Sequence, residues 1–178
     1  METAPEACQL PELVHEHYPL LYRYAFRLSG QTAEAEDLTQ QTFLTAQTQH
    51  SQLRDPRRAR NWLCTILRNL FLKGRRRDAL VRRQPLTDAP EPSVENSTDT
   101  WYDSEKLQAA LLELPEEYRS PIILFYFEEF SYQEIAEQMQ VPLGTVMSRL
   151  ARAKAALRLR LAAEVDFQSP TIQRSEKP

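Results

Sequence analysis

Ser131-Tyr132-Gln133-Glu134-Ile135-Ala136-Glu137-Gln138-Met139-Gln140-Val141-Pro142-Leu143-Gly144-Thr145-Val146-Met147-Ser148-Arg149-Leu150-Ala151-Arg152-Ala153-Lys154 is the stretch on which the fold turns. Ser131 and Glu134 have the spacing of a capping box, in which the hydroxyl accepts the third-position amide and the carboxylate reaches back to the serine amide. The short helix they start turns Ile135, Ala136 and Met139 inward. A turn follows at Gln140-Val141, and Pro142 suits the first position of a new helix. In that helix Val146, Leu150, Ala153 and Leu157 line one side, and Met147, Ser148, Ala151, Arg152 and Ala155 project from the other. A short capped helix, a tight turn and a second helix with one buried and one free face is the layout of a helix-turn-helix. The small side chains at Ser148, Ala151 and Ala155 permit close approach to a groove, and Arg152 can read guanine or hold phosphate.

Working upstream, Leu107, Ala110, Leu111 and Leu114 form a helix ended by Pro115. The run Ile122-Ile123-Leu124-Phe125-Tyr126-Phe127 has the composition of a strand as much as of a helix. Helix is the better reading, because Pro115-Glu116-Glu117 is a good helix start and no partner strand exists elsewhere. Gln84 to Ser104 holds Pro85, Pro90 and Pro92 and five acids without a base, so it reads as a linker. Extended, it reaches roughly 70 Å.

Before the linker, Leu13, Val14, Tyr18, Leu21, Tyr22, Ala25 and Phe26 recur at helical spacing, with Pro19 interrupting them and Ser29-Gly30 as a stop. A second helix follows Thr32, with Glu34, Glu36 and Asp37 complementing the dipole in its first turn. A third carries Trp62, Leu63, Ile66, Leu67, Leu70 and Phe71 on one broad apolar face, with Asn61, Thr65, Arg68 and Arg75 opposite. The expectation is an all-α chain: two small helical domains joined by an acidic, proline-containing linker, the second with the helix-turn-helix. The boundaries are 11–83, linker 84–104, 105–165, and a polar tail 166–178. Three glycines against twelve prolines leave little material for hairpins and agree with this.

The formal net charge of -3 conceals an uneven distribution. Arg54 to Arg83 carry eleven of the 22 Lys+Arg and only Asp55 and Asp78 as acids. Arg149 to Arg160 hold five bases and no acid. Two separated cationic surfaces suit an extended polyanion touched at two places. Cys8 and Cys64 are too few and too far apart for a disulfide framework or a CxxC site. Cys8, His15 and His17 lack an evident fourth ligand for zinc, so no metal and no cofactor is expected. With no leader-like segment and a longest apolar run of six residues, Ile122 to Phe127, neither a signal nor a membrane span is expected and the cytoplasm is the expected location.

These segments together resemble the extracytoplasmic-function sigma factors. Gly144 to Lys154 is similar to the family's promoter-recognition helix, Phe130 to Glu137 to the helix before it, and Leu114-Pro115-Glu116-Glu117-Tyr118-Arg119 to the segment upstream. Ala35-Glu36-Asp37-Leu38-Thr39-Gln40-Gln41-Thr42-Phe43-Leu44 resembles the polymerase-clamp-binding helix, and Trp62-Leu63-Cys64-Thr65-Ile66-Leu67-Arg68-Asn69 the helix that engages and opens the minus-10 element. The resemblance implies core RNA polymerase and promoter DNA as partners, with an anti-sigma factor as a further partner. It implies polymerase contacts at Asp37, Leu38, Gln40, Gln41 and Phe43. Minus-10 contacts fall at Arg60, Asn61, Trp62, Thr65, Arg68, Asn69 and Arg75, and minus-35 contacts at Thr145, Met147, Ser148, Arg149, Ala151 and Arg152.

One position departs from the family pattern. Members often carry an acid four residues after the asparagine, where this chain has Lys73 followed by Gly74, so the local helix end is expected to differ. A stand-alone helix-turn-helix repressor or activator would account for Ser131 to Arg160 but not for the basic helix across the linker. A helical enzyme would need a P-loop, an HExxH, a GxSxG or a metal cluster, and the sequence holds none of these.

Overall fold

The computed structural model describes residues 10–53, 55–81 and 102–167. Seven α-helices are formed among them: α1 Leu10–Ser29, α2 Thr32–Thr48, α3 Ala59–Val81, α4 Tyr102–Leu112, α5 Glu116–Tyr126, α6 Tyr132–Met139 and α7 Leu143–Phe167. Short 3₁₀ turns at His50–Gln52 and Pro56–Arg58 join α2 to α3. The described residues contain no strand, so the apolar run after Pro121 is helix.

Both internal prolines lie within helices. α1 runs through Pro19 without a break. Pro19 and His15, four residues earlier, are both exposed, so the hydrogen bond that proline removes lies on the wet side, where water can replace it. Pro121 sits in the second turn of α5 and is buried. α3 continues past Lys73 and Gly74 to Val81. A Cβ at Gly74 would meet nothing within 4 Å, so this part of α3 projects into solvent.

Leu21, Tyr24, Ala25 and Leu28 of α1 meet Ala35, Leu38, Phe43 and Ala46 of α2 and Leu63, Cys64, Leu67 and Phe71 of α3. Thr39 and Thr42 are buried among them because each hydroxyl donates to the carbonyl four residues back, Ala35 and Leu38, at 2.7 Å. In the second half Ala110, Leu111 and Leu114 pack with Ile122, Ile123 and Leu124, Phe130, Ile135 and Met139, and Val146, Leu150, Ala153 and Leu157. All four residues expected on the inner face of the last helix are buried there.

The two sets form one continuous apolar cluster. α4 and α5 lie on α1, and α6 lies on α3. Side chains of the second half cap the end of α1, whose last carbonyls have no partner within the helix. Gln108 Nε2 donates to Phe26 and Arg27 oxygens at 3.3 and 3.2 Å, and the buried Arg119 donates to Leu28 O at 3.0 Å. A cation at a helix C-terminus also complements the helix dipole. Gly30 ends α1 at φ +76°, its N–H bonded to Phe26 O at 2.8 Å, and the space a Cβ would need there is filled by Leu112 of α4.

Candidate nucleic-acid interface

The helix-turn-helix is built on the capping box foreseen from sequence. Glu134 N donates to Ser131 Oγ at 3.3 Å, and Glu134 Oε2 accepts from Ser131 N at 2.8 Å and Ser131 Oγ at 2.7 Å. Those two donors hold the Glu134 carboxyl below the ordinary glutamate range. Gln140 ends α6 in the left-handed region at φ 55°, and Val141 N returns to Ala136 O at 3.1 Å, which turns the chain sharply into α7.

On α7 the outward positions are those the periodicity assigns. Met147, Ser148, Ala151 and Arg152 are exposed, and Thr145 is half-buried. Arg149 differs from its neighbours. Its side chain is 22% exposed and its Nη2 stands 3.7 Å from Glu117 Oε2 on α5.

The basic face of the first half is placed quite differently. Arg60, Asn61, Trp62, Thr65 and Arg68 are all half-buried, because α6 and the start of α5 lie against them. Arg68 Nε donates to Glu116 Oε1 at 2.9 Å, with both side chains largely shielded. Asn61 Nδ2 donates to Glu134 Oε1 at 3.3 Å, and Arg58 Nη2 to Glu137 Oε2 at 3.1 Å. The Arg60 guanidinium lies 4.2 Å from the centroid of the Phe130 ring. Between the two halves remains a cleft of about 500 Å³, lined in part by Asn61, Trp62, Thr65, Glu134 and Gln138. Asn69 is exposed, and Arg75 stands 5.2 Å from the Phe71 ring centroid on the same helix. Sequence reasoning missed Arg58, whose place in the Arg57-Arg58-Ala59-Arg60 run was the available signal.

A third ionic contact joins the halves through α1. Glu128 is buried and its Oε2 accepts from Arg23 Nη2 at 3.1 Å. Burial raises the Glu128 carboxyl, which the arginine bond only partly offsets. Arg27 lies 3.8 Å from the Phe127 ring centroid beside it.

On α2, Asp37, Gln40 and Gln41 are exposed, whereas Leu38 and Phe43 are in the core. The exposed apolar side chain there is Leu44, at 63%, which the sequence reading did not single out. Tyr18 of α1, also exposed, stacks on Phe43 with ring centroids 6.5 Å apart. No cluster of three or more metal-ligating side chains occurs among the described residues, and Cys8 lies outside them. No helix among them is long and apolar enough to cross a membrane.

Two family models match the chain, "Sigma-70 region 2" at residues 13–80 and "Sigma-70, region 4" at residues 104–157. The chain is 40% identical over 160 residues to the ECF RNA polymerase sigma factor SigE of Mycolicibacterium smegmatis, covering 85% of this chain and 61% of that protein's length. It is 37% identical over 162 residues to the ECF RNA polymerase sigma factor SigL of Mycobacterium tuberculosis, covering 89% of this chain and 92% of the relative. Among solved structures it is similar to the sigma factor RpoE of Bartonella quintana in complex with the anti-sigma factor NepR. That likeness has a TM-score of 0.70 and 29% identity, and covers 87% of this chain and 98% of the other. The fold is also that of CnrH in complex with the cytosolic domain of CnrY, with a TM-score of 0.63 and 23% identity over 90% of this chain and 89% of the other.

Proposed function

Because the chain belongs to the ECF RNA polymerase sigma factors, alternative sigma factors that bind core polymerase and direct promoter-specific transcription initiation, we propose the following division of labour along it. The segment 11–83 contacts the polymerase clamp and the minus-10 element, 105–165 reads the minus-35 element, and the acidic linker expected at 84–104, whose last three residues belong to α4, spans the distance between them. The single observation that carries this reading is the exposed row Met147, Ser148, Ala151 and Arg152 on a helix whose opposite residues Val146, Leu150, Ala153 and Leu157 are buried and whose preceding helix is capped. Arg152 is the base reader of that row. Arg149 steadies the phosphate backbone from its flank.

On α2 the polymerase contact uses Asp37, Gln40 and Gln41, together with Leu44 and Tyr18, which supply accessible apolar surface next to them. Leu38 and Phe43 act there by shaping the helix from beneath. Arg60, Asn61, Trp62, Thr65, Arg68, Asn69 and Arg75 serve the minus-10 element, where single-stranded bases need stacking surfaces and cations. The protein acts by binding alone, without catalysis, metal or cofactor, in the cytoplasm where polymerase works. An anti-sigma factor is a partner of the same kind as the NepR bound to the RpoE neighbour.

Run-off transcription with purified core polymerase tests the whole. Addition of this chain is expected to yield transcripts from a subset of promoters in its source genome, and core polymerase alone is expected to yield none. Equal transcript patterns with and without the chain would sink the proposal.

A further inference from the structure

Beyond Asn69, α3 carries a run of cations with no task assigned so far. Lys73, Arg76 and Arg77 are exposed, and among the described residues none of them has a hydrogen bond, an ion pair or an aromatic ring beside it. Arg58, Asn61 and Arg68, earlier on the basic face, are each bonded to a carboxylate. The nearest acid in sequence, Asp78, points elsewhere. The Glu34 carboxyl, raised by burial, is drawn down by Arg75 and pushed up by Asp78, so those two side chains look towards α2. A Cβ at Gly74 would meet nothing within 4 Å, so α3 has left the core by this point.

Helical spacing lines the free cations up. Asn69, Lys73 and Arg76 stand at i, i+4 and i+7, on one face of the helix with Arg77 at its flank. At 1.5 Å per residue the row is ~10 Å long. Lys73 has like charges three and four residues on, which repel along a helix, and Gly74 weakens the same turn. A polyanion laid on the row removes that repulsion. Two features choose the polyanion. The row beyond Asn69 holds no aromatic ring, whereas sites for single strands interleave cations with rings on which bases stack. Duplex DNA presents one charge per ~1.7 Å of axis, twice the density of one strand. We propose that Lys73 and Arg76, flanked by Arg77, form a sequence-independent site for the phosphate backbone of double-stranded DNA. An acid at position 73, common in the family, would break the row, so the site belongs to this chain. It asks nothing of the bases and needs no polymerase, and it stands independently of the minus-10 assignment.

The test uses the full chain without polymerase. Fluorescence anisotropy reads binding to a short labelled duplex of random sequence, and to one of its strands alone, at several salt concentrations. Lys73→Gln/Arg76→Gln is expected to bind the duplex about tenfold more weakly at low salt and to lower the slope of log affinity against log salt by about two. Lys73→Arg/Arg76→Lys keeps both charges and should bind as the unaltered chain does, since a phosphate needs a charge where a base edge needs a fixed fork. A fourth protein, Lys73→Gln/Arg76→Gln/Gln47→Lys/Thr48→Lys, moves the charges to the other end of α2, ~20 Å from Glu34. Lysines suit a helix C-terminus, and this protein should bind as weakly as the double variant. All four positions are exposed, and circular dichroism should show unchanged helix content.

Undiminished duplex binding by Lys73→Gln/Arg76→Gln, or no duplex binding by the unaltered chain, overturns the site. Recovery in the charge-moved protein overturns it as well, since bulk charge would then account for the binding. A larger loss on the single strand than on the duplex overturns the choice of ligand. Weaker binding by Lys73→Arg/Arg76→Lys overturns the sequence independence, because a contact that tells the two cations apart is more than a phosphate contact.

Discussion

Arg149 and Arg152 lie on one helix less than a turn apart, yet their surroundings separate them. Arg152→Ala is expected to cost ~1–3 kcal/mol of promoter binding and to relax preference at one or two base pairs of the upstream element. Arg149, itself 22% exposed, stands 3.7 Å from the half-exposed Glu117, a loose ion pair that a phosphate can replace. Arg149→Ala should weaken all sequences alike and lower the salt slope by about one ion. Holoenzyme binding to a library of upstream elements at several salt concentrations distinguishes the two patterns, and an unchanged sequence profile for Arg152→Ala would refute the assigned face. Two glutamates predict opposite responses to acid. Glu134 is depressed in the folded protein, so its contribution is present above an ordinary value of about 4.5 and is lost as pH falls through its folded value. Glu128 is raised, so the folded state binds the extra proton and stability declines as pH rises from about 4.5 through the folded value. In thermal melts Glu128→Gln should flatten the decline on the alkaline side, and Ser131→Ala the loss on the acid side. Periodicity exposed the outward face of α7 because its inner residues pack chiefly on α4, α5 and α6 of their own half. On α2 the apolar residues at helical spacing, Leu38, Phe43 and Ala46, are all buried, whereas the resemblance carried Leu38 and Phe43 over as polymerase contacts without regard to which side of the helix packs on α1 and α3. Phe43→Ala is accordingly a stability variant, expected to cost ~3–5 kcal/mol, and Leu44→Ala is the cleaner probe of polymerase contact.

At the scale of elements, helix starts were more legible than helix ends. Ser131-x-x-Glu134 and Pro115-Glu116-Glu117 are local signals that tertiary structure had no reason to override. Pro19 misled because a proline's cost depends on which side of the helix loses its hydrogen bond, and that side is fixed by packing. Gly74 lies inside α3 without ending it, since a glycine weakens a solvated helix by only about 1 kcal/mol. Gly30 was a stop in the sequence and is also a contact in the structure. Gly30→Ala combines a left-handed backbone with a clash against Leu112, and is expected to destabilise the protein by ~1–3 kcal/mol. Chemical denaturation should show a lower midpoint. Leu112→Ala should restore part of it if the clash is the larger component, and none of it if backbone strain is.

Considered as a whole, the molecule has one apolar cluster where the sequence suggests two domains. Local helical patterns report what each helix buries, and they do not report that α1 lends its surface to both halves. Cleavage within the linker is therefore expected to leave the two fragments associated. Limited proteolysis between residues 84 and 104 should give two bands on a denaturing gel that still elute as one species in low-salt gel filtration. They should separate more readily as salt rises, because the pairs at Arg58 and Arg23 are partly exposed. Separate elution at low salt would contradict the shared core.

The two oxygens of Glu134 do different jobs. Oε2 holds the start of α6 through Ser131, and Oε1 alone reaches across to Asn61. Losing the Asn61 contact would thus free one oxygen without loosening the cap, and the start of α6 would keep its shape with or without it. A single carboxylate serves as both rivet and catch.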